Sequence, residues 1–334
     1  MRTQAYPPPY LGIKDDIPLA VIENPYPESV RNFNLDDGVP SLRKGDSVWY
    51  NDSASARYFL NFSTYGVAGN QRLFGVYSDA GPTMRWVDLT TSGTATSVHT
   101  FGIGSDDEIH TLFFNNYLFF FGEASLATTP QYYNGAAWGT AGYVWPGSFS
   151  PFGGGVYKNR AYFIGRNSAK YAYSEINAIS GVTTEVDLSQ IISTPAYLYG
   201  IRSISLSEGI QQQNVLAFIM SSGEVLVYAG SYPNSSDWSL VGVFFIPEPV
   251  YYNAFVDARG DSFVITKASL ISLRELFIQG STSAADSALS ANIKNLWASS
   301  FQNLPAGFEI FIKGIYDSIN DRIIIATYSA GVAR

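Results

Sequence analysis

The chain has no cysteine among its 334 residues, only two histidines and only three methionines. Without cysteine there is no disulfide scaffold, no thiolate metal site and no cysteine nucleophile. His99 and His110 stand without a third histidine, so a zinc site would need carboxylates to complete it. Charge is scarce as well: 14% of residues are charged, against roughly 25% in an ordinary soluble domain. With 20 basic and 28 acidic residues the net charge is −8, the wrong sign for gripping nucleic acid through its phosphates. Long apolar runs are missing too. Tyr117–Phe121 and Val241–Ile246 are strand-sized, far short of the roughly 20 residues of a membrane span. The opening MRTQAYPPPYLGIKDDIPLA lacks the apolar core of a secretory signal.

What is present is aromatic and glycine-rich. Aromatics reach 15%, apolar residues 46%, and there are 30 glycines. Disordered chains are poor in aromatics, and coiled coils are built from Ala, Glu, Lys, Leu and Arg, so both are excluded. An all-β chain is expected. Six apolar hairpins recur, turning near Gly69-Asn70, at Asn115-Asn116, at Lys158-Asn159, by a longer turn around Glu208–Gln213, at Arg259-Gly260 and at Asn320-Asp321. Asn, Asp and Gly tolerate the positive φ that tight hairpins demand. The spacing of roughly 45–60 residues suits one four-stranded propeller blade per hairpin. Second hairpins fall between the first, at Asp79–Pro82, Asn134-Gly135 and Ser222-Gly223. Apolar residues alternate at Val225/Val227 and run on without a break at Leu118–Phe121, as in strands buried on both faces.

The pattern therefore predicts a six-bladed β-propeller over residues 29–334, preceded by an extended arm over 1–28. One amphipathic helix is expected near 283–299, where Ala285, Leu289, Ile293 and Leu296/Trp297 share a face. The sixth hairpin lacks outer strands, while residues 29–50 carry an unused hairpin, so this segment is the candidate for closing the last blade.

Catalytic signatures are absent from the sequence: no GxSxG, no phosphate-binding GxxxxGK[ST] and no HExxH. Gly153-Gly154-Gly155 precedes a hairpin rather than a helix, and Gly102-Ile103-Gly104 lacks a third glycine. A non-enzymatic protein without catalytic, cofactor or metal residues is expected. Asp106-Asp107-Glu108 is the densest acidic run; it reads as a solvated turn or as an acidic, channel-facing loop. Tyr6-Pro7-Pro8-Pro9-Tyr10 favours an extended polyproline arm. It is a candidate subunit contact, with WW-domain recognition or docking on its own propeller as the alternatives. Paired carboxylates from different blades could serve glycan binding or cleavage, and an interaction scaffold is the third possibility.

Two stretches carry a resemblance. PYPESVRNFNLDDGVPSLRKGD, with Asn32 to Asp37 followed by Arg43-Lys44-Gly45, is similar to the opening of structural proteins of tailed bacteriophages. SSGEVLVYAGSYPNSSDWSLVGVFFIPEP resembles a blade of phage propeller proteins at Gly223, Glu224, Tyr228, Gly230, Pro233, Trp238, Leu240, Gly242 and Phe244, and QYYNGAAW resembles their Asn-Gly-x-x-Trp hairpin. The resemblance implies a virion structural protein in the tail nozzle, tube or neck, assembled in the host cytoplasm and acting in genome retention and delivery. Its implied partners are copies of itself in a ring, commonly a hexamer, and adjacent adaptor, portal-proximal or tail fibre proteins. DNA would pass without specific binding, helped by the net negative charge, and no membrane insertion or cofactor is implied.

Overall fold

Turn chemistry sets the hairpins. Asn115 and Asn116 adopt φ of 49° and 64°, and Lys158 and Asn159 adopt 43° and 59°. These are the left-handed pairs of a two-residue turn whose twist matches that of its strands. Arg259 and Gly260 do the same at 52° and 75°. The computed structural model describes residues 33–34, 41–42, 59–78, 84–89, 96–101, 108–122, 129–208, 211–280, 297, 301, 312–317, 322–326, 328–329 and 332–333.

Strands β1 (Phe33–Asn34) and β2 (Ser41–Leu42) pair with each other. Four antiparallel meanders of four strands follow. The first is β3 (Phe59–Val67), β4 (Asn70–Ser78), β5 (Met84–Asp88) and β6 (Thr96–Phe101). The second is β7 (His110–Phe114), β8 (Tyr117–Phe121), β9 (Gln131–Tyr133) and β10 (Trp138–Thr140). The chain then runs through β11 (Gly142–Val144) into β12 (Pro151–Tyr157), β13 (Arg160–Gly165) and β14 (Lys170–Tyr173). Next come β15 (Ser180–Val182) and β16 (Thr184–Asp187). The third blade is β12-β13-β14-β16, and β11 pairs in parallel with β15, tying the second blade's exit to the third. The fourth is β17 (Leu198–Glu208), β18 (Gln211–Met220), β19 (Glu224–Ala229) and β20 (Ser239–Phe245).

A three-stranded sheet, β21 (Phe255–Ala258), β22 (Asp261–Ile265) and β23 (Leu270–Ser272), leads into helix α1 (Leu273–Gln279). A two-stranded sheet, β24 (Lys313–Asp317) and β25 (Arg322–Ala326), precedes the short pair β26 (Tyr328–Ser329) and β27 (Val332–Ala333).

The arrangement is propeller-like because the sheets stack face to face in chain order. Strand β8 shows why its apolar run is unbroken. Leu118 and Phe120 pack with Tyr65, Phe74 and Val76 of the first blade, while Phe119 and Phe121 pack with Ala161, Phe163 and Ala172 of the third. Side chains alternate faces along a strand, so a blade between two neighbours needs apolar residues at every position. Strand β18 repeats this: Leu216 and Phe218 face the third blade, and Val215, Ala217 and Ile219 face the β21–β23 sheet. Strand β19 is buried along its whole length, so Val225/Val227 are half of a continuous run rather than one apolar face.

Four complete four-stranded blades are present among the described residues, not six. Among the described residues the fifth sheet has three strands, and after the third Ser272 caps a helix. Its Oγ accepts from Glu275 N at 3.0 Å, and Gly280 ends the helix at φ 60°. The sixth hairpin has two paired strands. Of the helix expected near 283–299, Trp297 alone is among the described residues. It is helical and buried, and its Nε1 donates to Thr266 O at 3.0 Å. Two turns also differ from expectation. Pairing of Glu208 with Gln211 leaves only two residues where a longer turn was predicted, and Asn70 already belongs to β4. Among the described residues no helix is long and apolar enough to cross a membrane.

Candidate functional site: a pocket between the first strands

The first strands of successive sheets converge. A cavity of about 160 Å³ is lined by His110 and Thr111 of β7, Phe152 to Gly154 of β12, and Tyr199 and Arg202 of β17. Tyr252, Asn253 and Phe255 at the entry to β21, and Lys313 and Gly314 of β24, complete the wall. A second cavity shares Thr111, Phe255 and Gly314 with it and reaches Phe62 to Thr64 of β3. Strands β3, β7, β12, β17, β21 and β24 thus all border one axial space.

Glycine makes this space. At Gly155 a Cβ would overlap the Ile201 carbonyl of β17, and at Gly154 the Tyr162 carbonyl of β13. A side chain at 155 would force the third blade away from the fourth, and one at 154 would push β12 off β13 within the third blade. The Gly153–Gly155 run thus serves close backbone approach at the axis, where blades crowd most.

The walls are aromatic. The His110 and Phe152 rings lie 4.5 Å apart, Phe152 and Tyr252 5.0 Å, and Tyr199 and Tyr252 4.4 Å. Asn167 N donates to the Tyr252 hydroxyl at 3.1 Å, fixing the ring against the third blade. Burial pushes the Tyr252 hydroxyl up to about 12, and burial together with the charge of Glu108 raises Tyr251 further.

The polar groups come from distant parts of the chain. Glu108, with its side chain only 8% exposed, accepts from Asn253 Nδ2 at 2.9 Å. His110 Nε2 stands 2.9 Å from the same oxygen without forming a hydrogen bond. The Arg202 guanidinium lies 4.5 Å over the Phe255 ring and donates through Nη1 to Ile201 O at 2.8 Å. Its Nε is buried without a hydrogen bond and stands 3.4 Å from Asp257 Oδ1. Desolvation pushes the Lys313 ammonium down to about 8, and the attraction of Glu108 offsets only part of that. The pocket therefore presents cationic and neutral donors on an aromatic floor, a chemistry of binding. A larger groove of about 730 Å³ between Ser168, Ser193, Tyr197 and Ser221 carries no charged lining residue. Among the described residues no three His, Asp or Glu side chains assemble into a metal-sized cluster.

Of the residues singled out in sequence, Glu108 lies beside this pocket, turned inward by Asn253, while Asp106 and Asp107 lie outside the described residues. Tyr6, Pro7, Pro8, Pro9 and Tyr10 lie outside them too. Sequence reasoning missed His110, Arg202, Tyr252 and Lys313 as a group. The one local signal was the Gly153–Gly155 run, which marks a close approach without saying to what.

No protein-family model and no curated protein matches the chain. Among solved structures the chain is similar to Raptor of Chaetomium thermophilum, at 8% identity over 67% of this chain, with a TM-score of 0.42. It spans 20% of that chain. It is also similar to BBS1N crystallised in complex with ARL6DN, at 14% identity over 70% of this chain and 68% of that one, with a TM-score of 0.39. Likenesses this remote carry no functional argument.

Proposed function

We propose that the chain is a structural subunit of a multi-chain assembly and not an enzyme. In the reading that its sequence resemblance favours, it is a virion protein of a tailed phage that forms a ring around the DNA path. The observation that supports this is the outer strand of the fourth blade. Strand β20 has no charged residue, yet Leu240, Val241, Val243 and Phe245 are 41%, 52%, 37% and 47% exposed. Soluble proteins guard open edges with charge, as β16 does here through Glu185, bonded to Lys170 at 2.7 Å. An uncharged apolar edge is a pairing template unless another chain covers it. A second copy, repeated around a ring, would cover it.

In this reading β21–β23 and β24–β25 are the fifth and sixth blades, and residues 29–50 supply strands to the last. Residues 1–28 act as a strap between subunits anchored by Tyr6 and Tyr10, which combine buried area with a polar rim contact. The net charge of −8 keeps passing DNA from adhering.

The test is the size of the purified chain in solution and in electron micrographs. Rings are expected from the wild type. Folded monomers are expected from Val241→Lys/Val243→Lys and from a chain lacking residues 1–12, each with near-normal melting. A monodisperse wild-type monomer, or undiminished rings from both variants, overturns the reading.

A further inference from the structure

We propose that the groove between Ser168, Ser193, Tyr197 and Ser221 is a binding site for a short neutral carbohydrate, its hydroxyls bonded by the serines and one sugar ring laid on Tyr197. This is independent of the assembly reading, which makes no use of the groove.

The groove is built and held open. Its walls come from three connections of the third and fourth blades: 166–169 between β13 and β14, 188–197 between β16 and β17, and 221–223 between β18 and β19. These are tied to one another across the gap. Leu198 N donates to Ser168 O at 2.8 Å. Ser221 N donates to Tyr197 O at 2.8 Å, and Tyr197 N donates back to Ser221 Oγ at 3.0 Å. Beneath them Glu224, only 3% exposed, accepts from Ser193 N at 2.9 Å and from Ser193 Oγ at 2.8 Å. The space left is about 730 Å³, within the roughly 300–1,000 Å³ of small-molecule sites. A site formed in advance loses little affinity to ordering its walls.

The lining selects the ligand. Among the described residues none that lines the groove is charged, so nothing there compensates an ion for its lost water. The serine hydroxyls are committed in one sense. Ser168 donates to Gly165 O at 3.1 Å, Ser193 to Glu224, and Ser189 to Asp187, whose carboxylate accepts. These three have lone pairs left for a ligand. Ser221 Oγ accepts from Tyr197 N and keeps its proton to give. A fitting ligand must therefore both donate and accept, as hydroxyl groups do. A carboxylate or phosphate group accepts only, and an ammonium donates only. A peptide backbone does both along one line, whereas the serines stand on three separate connections around the groove, as the hydroxyls of a sugar stand around its ring. Tyr197, 48% exposed and beside Ile192, Pro195 and Ala196, supplies the apolar surface for the C–H face of that ring.

The probes are arrayed neutral oligosaccharides of glucose, galactose, mannose and N-acetylglucosamine, with sialylated and sulfated ones beside them. The full chain is expected to bind neutral members in preference to the charged ones. The free sugar of the strongest neutral signal is then titrated calorimetrically into the full chain and its variants. Tyr197→Ala removes the ring, and Ala196→Gln fills the groove without adding charge. Each is expected to melt cooperatively and to bind the sugar at least about tenfold more weakly. Tyr197→Phe keeps the ring and is expected to keep the affinity. Binding of no neutral oligosaccharide overturns the proposal. So does a preference for the charged ones, or full affinity in both Tyr197→Ala and Ala196→Gln.

Discussion

Lys313→Met tests the electrostatics of the pocket without any ligand. The ammonium has a folded-state value of about 8 against 10.5 for an ordinary lysine. At about 1.4 kcal/mol per pH unit, that difference is a penalty on the order of 3 kcal/mol for holding the charge in the fold. The sign follows from proton counting. Below about 8 both folded and unfolded chains hold the proton, and the full penalty applies. Between about 8 and 10.5 the unfolded chain keeps the proton that the folded chain has released, so stability rises with pH. Methionine has similar reach and no charge, so the variant is expected to be more stable than wild type at neutral pH. Its advantage should be about 3 kcal/mol at pH 7 and about half that at pH 9.5. Unfolding entropy of about 2.1 cal/mol/K per residue over 334 residues converts the pH 7 value to a rise of about 4 °C in Tm. Every other ionisable group is the same in both proteins, so the difference between paired melts isolates residue 313. Melting curves of both proteins from pH 6 to 9.5 check it. A variant less stable than wild type at pH 7, or a gap that does not narrow above pH 8, would show that Lys313 is compensated in place and that the reasoning fails.

Three further outcomes follow from contacts between and within sheets. The Tyr157 hydroxyl shares its proton between Asn214 O at 2.9 Å and Gly230 O at 3.0 Å, joining the third and fourth blades. Tyr157→Phe should therefore cost about 1–2 kcal/mol in urea unfolding, and a neutral result would mean water replaces the hydroxyl. Gly155→Ala drives a Cβ into the Ile201 carbonyl and should cost about 2 kcal/mol or more by the same assay. Ser272→Ala removes the cap of α1 and the bond from Ser272 Oγ to Asp261 Oδ2 at 2.6 Å. A loss of about 1 kcal/mol is expected, with faster hydrogen exchange confined to residues 273–279.

The residue order by itself determined what short-range chemistry can encode. Asn115-Asn116, Lys158-Asn159 and Arg259-Gly260 announce their turns because few residues accept positive φ, and turn geometry then fixes strand register. The unbroken run Leu118–Phe121 announces a strand covered on both faces, because its neighbours alternate sides whatever the fold around it. Even α1 left a mark in Ser272-Leu273-Arg274-Glu275, the first turn of a capped helix, but seven residues are too few for periodicity to reveal it. The count of complete blades was decided elsewhere. Where the chain leaves a sheet is a matter of tertiary packing, and at Ser272 the described chain turns from β23 into a capped helix. The axial pocket belongs wholly to the tertiary structure. Glu108 and His110 are two residues apart at the entry to β7, but Arg202, Tyr252 and Lys313 sit on other sheets or the loops between them, and no spacing in the chain links these to the first two. Stacking the blades brings their first strands to one axis, and Gly155 lets the third and fourth close in on a space beside which a lysine and a carboxylate are both buried.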